Sequence, residues 1–388
     1  MSSFEPTEVQ RDVVEQGRKL ADRFSLDYWH EKDEASEYPW EFVKAFAAAG
    51  WMGIITPEEY GGLGLGVTEA ALLLREIAAS GAGISGASAF HFYVFPATPI
   101  VRHASPEMKA TFLPAIARGE IMMAFGITEP NAGTDTSRIT TRAERRGDKW
   151  IINGQKVWTT NAQNASHILL LTRTSPRTDE RPLDGMTLFF TPLDRERCDV
   201  RVIKKLGRAA VDSNEVFINN LEADNDHVVG EVGQGFRYLL DGLNPERIVI
   251  AMESIGMGQA ALRLATNYAN ERIMFERPIG TYQAVAHPLA DAWAKLEAAQ
   301  LMALNAAALY DARRPCGPEA NAAKYLAADA GFWACDAALQ VHGGYGYARE
   351  YHVERLWRES RLFRLAPISQ EMVLNYLSEH VLGLPKSY

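Results

Sequence analysis

Cysteine is scarce. Cys198, Cys316 and Cys335 are the only three in 388 residues, too far apart for a CxxC pair or a metal-ligating spacing, and they read as buried thiols in a reducing compartment. A basic excess is also lacking: 40 Lys and Arg against 49 Asp and Glu give a formal charge of −9. Nucleic acid would need a basic face, so it is excluded as a partner. A phosphorylated ligand would have to be met locally, by arginines and helix N-termini. The N-terminal MSSFEPTEVQRD has neither a basic n-region nor an apolar h-region, so no secretory signal is read there. No apolar run approaches the roughly 18 residues that span a bilayer. These exclusions predict a cytoplasmic protein that uses no membrane.

What is present is ample material for a core, with 47% hydrophobic and 23% charged residues. A chain of this length exceeds one compact core, so two or three subdomains are expected. Residues 1–122 read as helical: Glu8–Phe24 and Trp40–Ala48 carry apolar positions at helical spacing, and Thr68–Ala79 is rich in Ala and Leu. Over 123–232 the texture becomes short β-type runs (IMMAFGI, KWIING, HILLLT, MTLFFTPL, VFINNLEA) divided by Gly, Asn, Asp and Pro, which predicts a small antiparallel sheet or barrel. Over 233–388 long Ala-rich segments return, at Ile248–Phe275, Gln283–Ala312 and Glu319–His342, as in a helical bundle.

The most informative stretch is Phe125–Ala162, which contains FGITEPNAGTDTS and KWIINGQKVWTTNA. In the first part the small Ala132 and Gly133 sit among the hydroxyls of Thr128 and Thr134. Small residues let a flat or phosphorylated ligand approach the backbone, and hydroxyls and free N–H groups bond it. The second part reads as two strands with a tight turn at Asn153-Gly154. Trp158 and Thr160, two apart, would then share one face and suit a heteroaromatic ring. From the residues alone, an ordinary hairpin with a buried Trp competes with that reading.

The ITEPNAGTD run and the following WTTN resemble the flavin-binding segment of the acyl-CoA dehydrogenase family. QVHGGYGYAREYHVERLWR, at Gln340–Arg358, resembles the family's other signature, and the likeness extends from PEEYGGLGLG near residue 60 to the C-terminal helices. The resemblance implies an N-terminal helical domain, a central β-barrel and a C-terminal four-helix bundle, assembled as a homotetramer with FAD between barrel and bundle. Thr128 and Thr134 match hydroxyls on the isoalloxazine and pyrophosphate, Trp158 the stacking residue, and Thr160 the group near N5. Arg272, Phe275, Gln340, Gly343 and Gly344 match positions that reach the FAD of a neighbouring subunit. Ser369 and Glu371 match further FAD contacts, Glu371 at the adenosine. Met274 replaces a common threonine.

The implied reaction is α,β-dehydrogenation of an acyl-CoA to a 2,3-enoyl-CoA, with electrons passing to an electron-transferring flavoprotein. The family's usual base sits in a YEGT run, but this chain reads RESRLFRLAPISQEM, and the glutamate position falls on Pro367. Some relatives carry the base on the first long helix of the C-terminal domain, in an LDxER run that matches Leu243-Asn244-Pro245-Glu246-Arg247. Glu246 is thus the candidate base and Arg247, with Asn244, the candidate CoA contact. The competing reading makes Glu246 a helix-end residue, with Asn244 as N-cap and Pro245 opening the helix. Proline also lacks the N–H that in the family helps polarise the thioester carbonyl, unless Ile368 donates instead. Phe90, His91, Phe92, Tyr93 and Phe95 lie where relatives line the acyl cavity, with core packing as the alternative. Two other functions remain open: a flavin monooxygenase of the same fold, and a non-catalytic subunit of a heteromer.

Overall fold

The computed structural model describes residues 5–386, so the first four residues of the N-terminal stretch lie outside it. Helices α1 (Glu8–Ala21), α2 (Leu26–Ala35), α3 (Trp40–Ala48), α4 (Val67–Ile77), α5 (Gly83–His91), α6 (Ala97–His103) and α7 (Pro106–Ala117) form the N-terminal layer. Their starts follow local chemistry. Thr7 and Gln10 make a reciprocal capping box on α1, and Ser105 caps α7 ahead of Pro106 at its first turn. A π-helical turn at Ala78–Ala82 joins α4 to α5.

A curled sheet follows, built from β1 (Met123–Gly126), β2 (Arg142–Arg146), β3 (Lys149–Thr160), β4 (His167–Arg173), β5 (Met186–Pro192), β6 (Cys198–Val202) and β7 (Ser213–Asp224). The order is β1-β4-β2-β3-β7-β6, with β5 also on β4. Most pairs are antiparallel, but β1 and β2 each run parallel to β4. Trp150, Ile152, Ile168, Leu170, Phe189 and Val216 belong to a core of its own beneath this sheet.

The expected turn at Asn153-Gly154 is absent. β3 runs unbroken through it, with only a register shift against β7 between Ile152 and Gly154. The hairpin turn lies instead at Gly147-Asp148, where Arg146 pairs with Lys149 and Gly147 takes a φ of 67°. An Asn-Gly pair also suits a bulge, because glycine there tolerates the Thr141 backbone crowding its Cβ position.

The bundle consists of α8 (Gly235–Glu271), α9 (Gln283–Asp311), α10 (Gly317–His342), α11 (Val353–Ser360) and α12 (Gln370–His380); a two-residue-strand hairpin, β8 (Ile273–Met274) and β9 (Arg277–Pro278), leads from α8 to α9. Helices α8 and α10 pack closely: a Cβ on Gly331 would collide with Ser254, whose hydroxyl donates to the Ala327 carbonyl at 2.9 Å. Helix α8 is long and apolar enough to cross a bilayer, contrary to the sequence expectation, but most of that stretch is buried inside the protein. It also starts well before Ile248. Pro245 lies inside it rather than at its first turn, and Asn244 is not its N-cap. The missing Pro245 N–H leaves the Asp241 carbonyl without its helical donor, and the Tyr310 hydroxyl of α9 donates to that carbonyl at 3.1 Å.

Candidate active site

The sheet side of the site begins at the loop after β1. The Val157 N–H donates to the Thr128 carbonyl at 2.9 Å, which sets half-buried Thr128 against the strand carrying Trp158. Next to it Glu129 is buried and accepts from the Thr140 and Thr141 N–H groups and from Lys156 Nζ at 2.9 Å. Burial alone would raise the Glu129 carboxyl; Lys156 and the threonine donors instead hold it at about 2. Lys156 is pushed down to about 8 by burial, against the pull of Glu129, and also donates to the Ile127 carbonyl. Glu129 and Lys156 thereby clamp the loop to β3.

Trp158 has a φ of 59° and sits in a second register shift, between Lys156 and Thr159. Simple alternation therefore does not place Trp158 and Thr160 on one face. The kink leaves the indole 58% exposed, while half-buried Thr160 accepts from Arg208 Nη2 at 3.3 Å. Thr134 is exposed on the loop beyond Ala132.

Arg208 is buried, and its guanidinium also donates to Ser88 of α5 and Ser213 of β7. From α5, His91 Nδ1 meets Glu253 Oε1 of α8 at 2.8 Å. Glu246 lies two turns before Glu253 on the same helical face. It is 8% exposed, about three turns inside α8, and so it is not a helix-end residue. Burial, with a further push from Glu253, raises its carboxyl to about 8 against the opposing charge of Arg247. No hydrogen bond contributes, so a charge that forms there is poorly solvated and strongly basic.

Arg247 Nη1 donates to Asn244 Oδ1 at 3.1 Å, one turn away. Burial lowers its pKa, with Glu246 pulling the other way. Lys324 of α10, fully buried and pushed down to about 8 by burial, donates to the Ile368 carbonyl, tying down the segment in which exposed Pro367 stands. Ser369 caps α12, accepting from the Met372 N–H, and Glu371 is exposed in its first turn, lowered by local backbone and Ser369 donors.

The remaining residues gather elsewhere. Arg272 ends α8, Gln340 lies in the last turn of α10, and Gly343 and Gly344 follow it. The Arg272 guanidinium lies 5.9 Å over the Tyr345 ring. Phe275 is 85% exposed, and a Cβ on Gly343 or Gly344 would meet nothing within 4 Å. Arg272 stands 26 positions beyond Glu246, about 39 Å along the helix axis.

The acyl-CoA dehydrogenase N-terminal, middle and C-terminal domains match residues 7–120, 124–221 and 233–382. The chain belongs to the acyl-CoA dehydrogenase family. Its members are oxidoreductases acting on CH–CH bonds. The chain is similar to acyl-CoA dehydrogenase FadE12 of Mycobacterium tuberculosis, 36% identical over 100% of this chain and 99% of that one. It is also similar to cyclohex-1-ene-1-carbonyl-CoA dehydrogenase of Syntrophus aciditrophicus, 34% identical over 93% and 87%. Among solved structures, butyryl-CoA dehydrogenase from Megasphaera elsdenii superposes with a TM-score of 0.93 at 27% identity, over 98% of this chain and 100% of that one.

For an acyl-CoA dehydrogenase, the exposed indole of Trp158, on a strand tied by the Val157 N–H to the Thr128 loop, offers a surface that a flavin ring fits. Arg208, the Glu129–Lys156 pair, Glu253 and Lys324 are absent from the sequence reading. Only burial of charge reveals them, and isolated Arg, Glu and Lys give no sequence signal of it.

Proposed function

We propose that the protein is an FAD-dependent dehydrogenase that converts an acyl-CoA to its 2,3-enoyl-CoA and passes the electrons to an electron-transferring flavoprotein. The observation that carries this is Glu246: a buried carboxyl raised to about 8, beside the half-buried Arg247, in a chain whose alternative base position holds Pro367. Bound FAD would supply the acceptor to which the β-hydrogen leaves as hydride. Trp158, Thr128, Thr134 and Thr160 hold it from the sheet side and Ser369 and Glu371 from α12. Arg272, Phe275, Gln340, Gly343 and Gly344 reach the FAD of a neighbouring subunit, which supports a homotetramer.

Glu246 removes the α-proton of the thioester. A carboxylate raised toward the operating pH is better matched to a weak carbon acid than an ordinary one. Arg247 and Asn244 meet the CoA part, a fixed cation suiting a phosphorylated ligand. Pro367 offers no N–H, so a backbone donor to the thioester oxygen would come from Ile368, whose carbonyl Lys324 holds in place. The cytoplasm suits a chain with three buried, free thiols.

The test is anaerobic titration of the purified protein with a panel of acyl-CoAs. The flavin should bleach with substrate and stay reduced until an electron-transferring flavoprotein is added. A flavin that needs external reductant and then consumes oxygen indicates a monooxygenase, and one that responds to neither indicates a non-catalytic subunit.

A further inference from the structure

Glu253 is an anomaly among the buried charges. It is fully buried, as is its partner His91 apart from a 3% exposed fraction. The imidazole satisfies one oxygen, Oε1, at 2.8 Å. The other, Oε2, is shut off from solvent and meets no donor among the described residues. A buried carboxylate oxygen left bare costs on the order of 1–3 kcal/mol or more, so such an atom calls for a partner that the chain itself does not supply.

Its position says where that partner enters. Glu253 stands two helical turns, about 10 Å, beyond Glu246 on the same face of α8. The walls beside it are aromatic. The His91 ring centroid lies 4.8 Å from that of Phe92 and 5.0 Å from that of Phe95, and Phe95 meets Phe125 of β1 edge-on at 5.6 Å. An acyl chain whose α-carbon sits at Glu246 and whose body runs along this face ends at Glu253.

Resting on the dehydrogenase reading above, we propose that His91 and Glu253 form the far end of the acyl pocket and select acyl groups that carry a hydroxyl there. The hydroxyl donates its hydrogen to Glu253 Oε2 while the chain lies against Phe92 and Phe95. A neutral donor is favoured over an ammonium because the buried Arg208 guanidinium is close enough to act on Glu253 and would repel a second cation. Arg208 Nε, itself a buried donor without a partner, favours a group that also accepts. Glu253 is a specificity residue on this account; it does not itself take the α-proton, and it acts on Glu246 only through its charge.

The experiment compares anaerobic flavin bleaching by butyryl-CoA, octanoyl-CoA and ω-hydroxyoctanoyl-CoA in the holoenzyme and in Glu253→Gln and Glu253→Leu. In the wild type the hydroxylated chain should bleach the flavin at least about tenfold more efficiently than octanoyl-CoA, as expected when a buried polar group is otherwise left unpaired. Glu253→Leu should reverse that preference, read as the ratio of the two long chains within each protein; butyryl-CoA, too short to reach, reports the change in Glu246 basicity common to all acyl-CoAs. Wild-type selectivity alone keeps the test decisive if a variant fails to fold. Equal efficiency toward the two long chains, or a preference unchanged in Glu253→Leu, overturns the inference and leaves the dehydrogenase reading standing. If no acyl-CoA bleaches the wild-type flavin, the dehydrogenase reading falls and this inference with it.

Discussion

Replacing Glu246 with glutamine should make the protein slower and more stable at once. The side chain is 8% exposed, and its carboxyl is raised from 4.5 to about 8. Between those values the folded state binds more protons than the unfolded state, so stability falls as pH rises from about 4.5 and levels off above about 8. At 1.36 kcal/mol per unit the cost of charging Glu246 is about 3 kcal/mol near neutral pH and about 5 kcal/mol above pH 8. Glutamine has nearly the same size and carries no charge, so the variant escapes this cost. Its unfolding free energy should exceed wild type by about those amounts, with the gap vanishing toward pH 4.5. Flavin reduction by acyl-CoA should meanwhile drop at least about a thousandfold, roughly 4 kcal/mol of barrier, within the usual worth of a general base. Denaturant unfolding across pH, in saturating FAD, gives the first quantity and anaerobic stopped-flow bleaching the second. A variant that is less stable than wild type at pH 8, or that bleaches within a few-fold of it, refutes the reasoning.

Trp158→Ala should weaken FAD binding roughly three- to tenfold, the worth of one aromatic stack, in a titration followed by flavin fluorescence; an unchanged affinity removes Trp158 from the flavin. Arg272→Ala should lower FAD retention, as measured by flavin content after gel filtration, since on the proposed reading its cluster serves a neighbouring subunit. A wild-type protein that sediments as a monomer and still holds FAD contradicts that arrangement. Glu129→Gln leaves Lys156 buried without its counter-charge and should cost about 3–5 kcal/mol in denaturant unfolding. The same pair supplies a pH signature: with Glu129 held at about 2, its contribution is present above about 4.5 and lost as pH falls toward 2. A variant as stable as wild type at neutral pH would show that the clamp on the loop after β1 is dispensable.

Apolar periodicity and alanine-rich texture gave away six of the helices α1–α12, the long ones of the bundle among them. Trp40–Ala48 is α3 to the residue, and α9 begins at Gln283 as expected. Strands with apolar runs, such as HILLLT in β4 and MTLFFTPL in β5, were equally legible. The strand Arg142–Arg146, RAERR, was not: only Ala143 is buried, and four charged residues in five carry no strand signal of their own. The edge strand Cys198–Val202 failed for the same reason, being half polar and largely exposed. Pro245 misled by a rule that is locally sound. Proline opens helices far more often than it sits inside them, and what permits it here is a hydroxyl from Tyr310, 69 residues from the Asp241 carbonyl that it bonds, which no local pattern contains.

The site divides along the same line. Thr128, Trp158, Glu246 and Arg272 stand in continuous runs of sequence and could be matched one by one, whereas what tunes them is assembled from distant segments. Ser88, Thr160, Arg208 and Ser213 converge on one guanidinium, and His91 and Glu253 meet across 162 residues. Helix α8 shows why that assembly matters. It carries Glu246 in its first half, Glu253 two turns on, and Arg272 at its end. On the proposed reading it supplies the base of one active site and, about 39 Å away, a ligand for the flavin of another. A break at Pro245 would uncouple the base from the rest of that rod. The Tyr310 contact that preserves the helix there therefore fixes the depth at which Glu246 is buried, and with it the basicity on which proton removal depends.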